Sequence, residues 1–217
     1  MHYTGCIVVK KATHSKPLPA KARAKANFDV VAIAASAGGL NAISRVLEAL
    51  PADFPAAIVI VQHLDPRRRS LFAEIMDKRT RLRVKQAEAG ESLSPGSVYI
   101  APPNRHLLVN GDHTLSLTET ELVHFVRPSA DLLFDSIAAS HKTRAIAVVL
   151  SGSGSDGGMG VRAIKQMGGM VIAQDEGTAE FFGMPGSAIA TGCVDFTLPL
   201  PEIAAALVTL VTKGTSK

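Results

Sequence analysis

Three polar residues that are far apart in the chain have the residue types of a hydrolytic triad. Ser36, His63 and Asp156 each follow a short run of apolar residues. A serine hydroxyl that gives its proton to a histidine becomes a nucleophile for a carbonyl carbon, and an aspartate can orient that histidine. The three residue types therefore predict acyl-transfer chemistry, in which an ester or amide is hydrolysed through an acyl-enzyme.

The segment around Ser36 favours a nucleophile. Residues 34–38 have the form small-x-Ser-x-Gly, close to the pattern that lifts a serine into a cleft between a strand and a helix. The backbone N–H of Ala37 would face the same side and could hold a developing oxyanion. A phosphate-binding turn, or a helix N-cap at Ser36, fits the same residues and stays open. The segment lacks the dinucleotide and P-loop fingerprints.

Asp156 lies in the glycine- and serine-rich segment 151–160, which is also compatible with a plain flexible loop. An aspartate there is expected to accept a hydrogen bond from the Nδ1–H of the histidine, while Nε2 takes the serine proton. Asp65, Asp135 and Asp175 are rivals for this role. Asp65 would more naturally cap a helix, and Asp135 is predicted to lie inside one.

The remaining histidines do not suggest a metal site. None has the paired spacing of metal ligands, and we expect them to face solvent. No metal and no cofactor is therefore predicted. The residues considered are His106, His113, His124 and His141.

The elements that must position these residues alternate between short apolar runs and longer amphipathic stretches. This order is typical of a parallel sheet with helices on its faces, whose strands present their carboxyl ends at one edge. We predict a three-layer α/β/α sandwich with a mostly parallel, doubly wound sheet and a β-hairpin excursion at Asn110-Gly111. The predicted strands are 30–34, 58–61, 97–101, 107–109, 114–117, 145–150, 170–173 and 194–197, and the predicted helices are 40–50, 71–78, 130–141, 158–167 and one starting near 201.

The net charge of +4 is unevenly distributed. Residues 1–27 carry six of the 23 basic residues and no acidic residue, which leaves 17 basic and 19 acidic residues elsewhere. The rest of the chain is therefore not basic, and nucleic-acid binding is not expected. We predict a disordered basic leader over 1–27 and one catalytic domain over 28–217.

The cellular setting is predicted from cysteines and hydropathy. Two cysteines give no basis for a disulfide framework, and the apolar run at 6–9 is too short for a signal peptide. No run approaches the roughly 20 apolar residues needed to span a bilayer. We expect a cytoplasmic protein that does not insert into a membrane.

Seven short motifs between residues 29 and 206 resemble the catalytic domain of the chemotaxis protein-glutamate methylesterases, the CheB family. They occur in the family's order. The motifs lie at 35–39, 61–63, 96–106, 127–134, 150–158, 173–176 and 183–185.

This resemblance implies that Ser36 is the nucleophile, His63 the base and Asp156 the residue that orients the base. It implies hydrolysis of glutamate γ-methyl esters on the cytoplasmic helices of chemoreceptors, with glutamine deamidation as a related activity in some members. The chain departs from the family at Ala37, where threonine is usual, and at Ser153, where methionine is usual. We expect no receiver domain of the kind that usually precedes the esterase, and whether a regulator acts in trans stays open.

The expected mechanism adds an oxyanion site and a docking site to the triad. The backbone N–H of Ala37 and a donor near Ser153 are predicted to hold the oxyanion. Arg67, Arg68 and Arg69 are placed to meet an acidic helix of the substrate, although a solvated helix start explains them equally well. A small-molecule esterase or amidase, and a catalytically silent receptor-binding module, remain as alternatives.

Overall fold

The computed structural model describes residues 27–64 and 70–213. The predicted leader, apart from Asn27, and Asp65 and Arg67 to Arg69 lie outside these residues. Within them the elements are β1 (Val30–Ala35), α1 (Gly39–Ala49), β2 (Ala57–Gln62), α2 (Phe72–Asp77), β3 (Arg83–Gln86), β4 (Ser97–Ile100), β5 (His106–Val109), β6 (Leu115–Thr118), α3 (Ala130–His141), a 3-10 turn (Lys142–Arg144), β7 (Ala145–Val149), α4 (Gly158–Gln166), β8 (Met170–Gln174), α5 (Gly183–Ala190), β9 (Phe196–Leu198) and α6 (Leu200–Lys213).

Seven of the strands form one sheet in the order β3-β4-β2-β1-β7-β8-β9, and every neighbouring pair is parallel. Strands β5 and β6 form the separate antiparallel hairpin that Asn110-Gly111 predicts. Strand β2 lies on one side of β1 and β7 lies on the other. Strands β2 to β4 are therefore added on one side of β1, and β7 to β9 are added on the opposite side. Such a change of side opens a crevice at the carboxyl ends of the central strands.

Each central strand is buried on both faces, which explains its continuous apolar sequence. Val31 and Ile33 belong to a core formed with α1, α2 and α6, whereas Val30 and Ala32 belong to a core formed with α3, α4, α5 and the hairpin. The alternation follows from the two-residue period of a strand. The predicted three-layer α/β/α sandwich is therefore confirmed.

One strand and one α-helix of the structure were not predicted. Strand β3 has the sequence Arg-Val-Lys-Gln, in which only Val84 is buried, because it forms an edge of the sheet where charged residues are tolerated. Helix α5 contains two glycines and Pro185, all poor helix formers, and tertiary packing overrides that preference. Buried Met184 and Ala188 provide this packing.

The prediction that the four further histidines face solvent is wrong for two of them. His106 is fully buried, and His141 is 6% exposed. Each is satisfied internally: the Nδ1 atom of His106 accepts from the backbone N–H of Ser129 at 3.1 Å, and His141 Nε2 lies 2.9 Å from His113 Nδ1. Hydrogen bonding thus offsets the cost of burying an imidazole.

No helix in the described part of the chain is both long enough and apolar enough to cross a membrane.

Candidate active site

Ser36 lies in the turn between β1 and α1 and is partly exposed. Its backbone N–H donates to the carbonyl of Ser151 at 3.0 Å, which ties this turn to the loop after β7. Gly38 has a φ of +73°, and a Cβ atom there would lie 2.6 Å from Ser151 Oγ. Glycine is therefore required at position 38. Gly38, and not Ser36, is the N-cap of α1, so the serine hydroxyl is not used as a helix cap.

The imidazole of His63 lies against the carboxylate of Asp156. His63 Nε2 is 2.8 Å from Asp156 Oδ2, and the two side chains are 13% and 4% exposed. The expected ring orientation is wrong, because Nε2 and not Nδ1 faces the aspartate. The start of α3 holds Asp156, and the imidazole meets it with the nitrogen that is farther from the backbone of His63. Nδ1 is left as the nitrogen that can accept a serine proton.

Asp156 is held by four donors. Its Oδ1 accepts from Ser129 Oγ at 2.8 Å and from the backbone N–H of Asp131 at 3.2 Å, and its Oδ2 accepts from the backbone N–H of Ala130 at 2.6 Å and from His63. Three of these donors belong to the N-terminus of α3, which favours an anion. Burial alone would raise the pKa of Asp156, but the hydrogen bonds from His63, Ala130 and Ser129 outweigh it and hold that pKa below its ordinary value.

Ser36 and His63 are brought together by adjacent strands. Ala35 at the end of β1 is paired with Gln62 at the end of β2, and the backbone N–H of His63 donates to the carbonyl of Ala35 at 3.1 Å. The serine hydroxyl and the imidazole are not in hydrogen-bond contact, and Ser36 Oγ has no hydrogen-bond partner among the described residues. Such contacts are often long without substrate and tighten when it binds.

Gln62 links the two loops and was not identified as functional from the sequence. Its Nε2 donates to the carbonyl of Ser36 at 2.8 Å and to the carbonyl of His63 at 3.0 Å. Because both neighbours are carbonyl acceptors, the side-chain atom of Gln62 that faces them must be the amide nitrogen and not the amide oxygen. Gln62 is 5% exposed, and its Oε1 is buried without a partner in the described residues. The signal in the sequence was a polar residue that ends an otherwise apolar strand.

Ser129 is a second residue that the motif search passed over, although it lies in the matched segment 127–134. It is fully buried, its hydroxyl donates to Asp156, and its backbone N–H donates to His106 Nδ1. Because His106 Nδ1 is an acceptor, Nε2 carries the proton and donates to the carbonyl of Glu121 at 3.0 Å. A buried chain of hydrogen bonds therefore supports the aspartate from behind.

The two backbone donors that the sequence predicts for the oxyanion make no hydrogen bond within the described residues. These donors are the N–H groups of Ala37 and Ser153. Gly152 lies between the two loops, and a Cβ atom on it would be 3.0 Å from Ser36 Cβ and 2.3 Å from Met184 Sδ. The glycine-rich loop therefore passes so close to Ser36 and Met184 that position 152 has no room for a side chain.

The other residues considered from the sequence either make no contact with His63 or lie outside the described residues. Asp135 lies within α3, and Asp175 caps the turn after β8 by accepting from the backbone N–H of Thr178 at 3.0 Å. Asp65 and the three arginines at 67–69 fall in the gap between the described ranges. Within 27–64 and 70–213, no group of three or more histidine, cysteine or acidic side chains could hold a metal ion.

Comparison with known proteins identifies a single family. The family model described as CheB methylesterase matches residues 31–207. A putative protein-glutamate methylesterase/protein-glutamine glutaminase of Leptospira interrogans is 42% identical over 178 residues, which cover 82% of this chain and 92% of that protein. A protein-glutamate methylesterase/protein-glutamine glutaminase of Moorella thermoacetica is 43% identical, over 85% of this chain and 45% of that protein.

Among solved structures, the crystal structure of the Thermotoga maritima CheB methylesterase catalytic domain superimposes with a TM-score of 0.82. The two chains are 39% identical, and the match covers 85% of this chain and 99% of that domain. Sequence motifs, strand order and three-dimensional similarity agree, and this chain belongs to the CheB methylesterase family.

Proposed function

We propose that this chain hydrolyses glutamate γ-methyl esters on the cytoplasmic helices of chemotaxis receptors and releases methanol, with Ser36, His63 and Asp156 as its triad. The observation that carries the proposal is the 2.8 Å contact between His63 and Asp156 at the edge of the sheet where Ser36 directly follows β1. The names of the relatives supply the substrate class. The site of action is then the cytoplasm.

In the first step Nδ1 of His63 takes the proton of Ser36 Oγ, which attacks the carbonyl carbon of the ester. His63 becomes an imidazolium, and its Nε2–H donates to Asp156, whose carboxylate stabilises the new positive charge. The low pKa of Asp156 keeps it ionised throughout the neutral range. The aspartate thus orients and stabilises the base and does not itself take the proton.

The tetrahedral intermediate places a negative charge on the former carbonyl oxygen. The backbone N–H groups of Ala37 and Ser153 are the donors that the turn and the glycine-rich loop present, and loss of one such donor typically costs about 2.7 to 4 kcal/mol. Because both donors belong to the backbone, the substitutions at 37 and 153 relative to the family pattern leave them in place. His63 then returns its proton to the methoxide oxygen, and methanol leaves.

Water completes the cycle. His63 removes a proton from a water molecule, which attacks the acyl-enzyme and releases a glutamate side chain and Ser36. The same steps acting on a glutamine amide would release ammonia. The names of the relatives, which include a glutaminase activity, support this second reaction.

Methanol release from a methylated receptor fragment tests the proposal. Replacement of Ser36 by alanine should lower kcat about 10⁶-fold, because the members of a triad act as a unit. Ser155→Ala is the matched control, since Ser155 is an exposed serine of the same glycine-rich loop with no side-chain hydrogen bond in the described structure. Near-normal turnover by Ser36→Ala would contradict the triad, and faster turnover of simple acyl esters than of methylated receptor would favour a small-molecule esterase.

A further inference from the structure

A tight turn immediately before α3 displays an exposed phenylalanine. Val123 and Val126 exchange backbone hydrogen bonds of 3.2 and 3.0 Å, and the two residues between them, His124 and Phe125, have φ values of +49° and +64°. Two consecutive residues with left-handed φ values form a type I′ hairpin turn. Glycine and asparagine are the residues preferred at these two positions. Phe125 is 95% exposed.

This arrangement is unfavourable for the isolated protein. A bulky aromatic residue in the left-handed region is strained, and such strain persists only where the surrounding structure imposes it. A phenyl ring in water also forgoes the stabilisation that burial would give. Nothing in the described structure covers Phe125, so the isolated chain gains no packing in return.

The turn is nevertheless firmly braced. Arg127 donates to the carbonyls of Glu119 and Thr120 at 2.8 and 2.6 Å and to Asn104 Oδ1 at 2.8 and 3.1 Å. On the other side of the turn, His124 Nε2 lies 3.3 Å from Asp131 Oδ2. A segment held in this way presents its side chain in one orientation, which lowers the entropy lost on binding.

The turn lies beside the candidate active site. The backbone N–H of Asp131 donates to Asp156, and Asp131 Oδ1 accepts from the backbone N–H of Gly160 at 2.7 Å. Met159, whose side chain is 62% exposed, therefore lies next to the Asp131 carboxylate that His124 of the turn also approaches. Leu122, 53% exposed, precedes the turn. We call Leu122, Phe125 and Met159 the rim patch.

We propose that the rim patch is the docking surface for the protein that carries the ester, with Phe125 inserted among aliphatic side chains beside the esterified glutamate. The inference rests on the proposed function and adds a binding residue to it. Whenever its ester occupies the site, the protein that carries the ester must lie against the surface that adjoins the reacting groups. The aromatic ring and the adaptable methionine are the side chains that binding surfaces favour.

The test compares a methylated receptor fragment with a small soluble methyl ester as substrates. Phe125→Gly removes the ring and relieves the left-handed strain, so folding should not suffer. We expect KM for the receptor fragment to rise about tenfold or more with kcat little changed, since a lost docking contact weakens ground state and transition state alike. The small ester, which cannot reach the patch, should be turned over as before. Phe125→Tyr, which keeps the ring, should retain the original KM.

Phe196→Thr is the control, because Phe196 is 38% exposed on the edge strand β9, away from the triad. An unchanged KM in Phe125→Gly, or an equal rise in Phe196→Thr, would contradict the docking surface while leaving the proposed function intact. An equal loss with both substrates would also contradict it, because Phe125 would then act on the triad. Absence of methanol release by the unmodified protein would instead overturn the proposed function, and the docking surface with it.

Discussion

Gln62 shows how much the candidate site depends on a residue outside the triad. One amide group donates to the carbonyls of both Ser36 and His63, so it links the two loops that carry these residues. Without it, the carbonyl of Ser36 would still accept from the backbone N–H of Gly39 at 2.9 Å. The bridge between the two loops, however, would be lost, and small displacements of reacting groups are costly to rate.

We therefore expect Gln62→Met, which keeps the shape and removes both donors, to lower kcat by about ten- to a hundredfold with little change in KM. Steady-state kinetics with the methylated receptor fragment measures kcat and KM, and thermal unfolding measures the Tm of the same variant. A loss of kcat explained wholly by a lower Tm would show that Gln62 serves folding alone.

At the scale of elements, α3 positions the carboxylate. Its first two backbone N–H groups and the hydroxyl of Ser129 converge on Asp156, and the aspartate in turn orients His63. The helix begins at the Pro-Ser-Ala segment of one of the motifs singled out in the sequence. That motif could be matched to the family. The spacing of residues along the chain, however, did not predict that it contacts the loop that carries Asp156, some 26 residues downstream.

Ser129→Ala tests this role of the helix. Removing one of the donors that lower the pKa of Asp156 should raise that pKa toward its ordinary value, and kcat should fall by about tenfold as the orientation of His63 loosens. Ionised Asp156 stabilises the fold above the pKa of the unfolded state, and this contribution is lost as pH falls through the lower folded-state pKa. The variant should therefore unfold at a higher pH than the unmodified protein during acid titration followed by circular dichroism.

Ser140→Ala, at the other end of α3, serves as the matched control because Ser140 bonds only within its helix and to His141. Equal acid sensitivity of the two variants would refute a specific link between Ser129 and Asp156.

The elements also show where sequence patterns were sufficient. Buried strands such as β1 and β7 have no polar residue to satisfy, so an apolar run identifies them. Strand β3 and helix α5 were missed because local composition opposed the structure that packing imposes. The burial of His106 was missed for a different reason: its partner, Ser129, is far along the chain, and only the folded structure brings the two together.

For the whole molecule, the order of strands is what gathers the candidate site. His63 and Asp156 are separated by 93 residues, and they meet because β2 and β7 flank β1 with their carboxyl ends at one edge. The βαβ pattern predicted that edge and therefore the residues to examine. It did not predict which nitrogen of His63 would face Asp156, because that depends on where α3 holds the carboxylate.

Ser36 is proposed to be a nucleophile that His63 activates. Treatment with a fluorophosphonate, followed by peptide mass spectrometry, tests it directly, since an activated serine oxygen displaces fluoride from phosphorus and stays covalently marked. We expect a single adduct on Ser36 that is lost in His63→Ala. An adduct on another serine of the glycine-rich loop, or labelling of Ser36 that persists undiminished in His63→Ala, would contradict it.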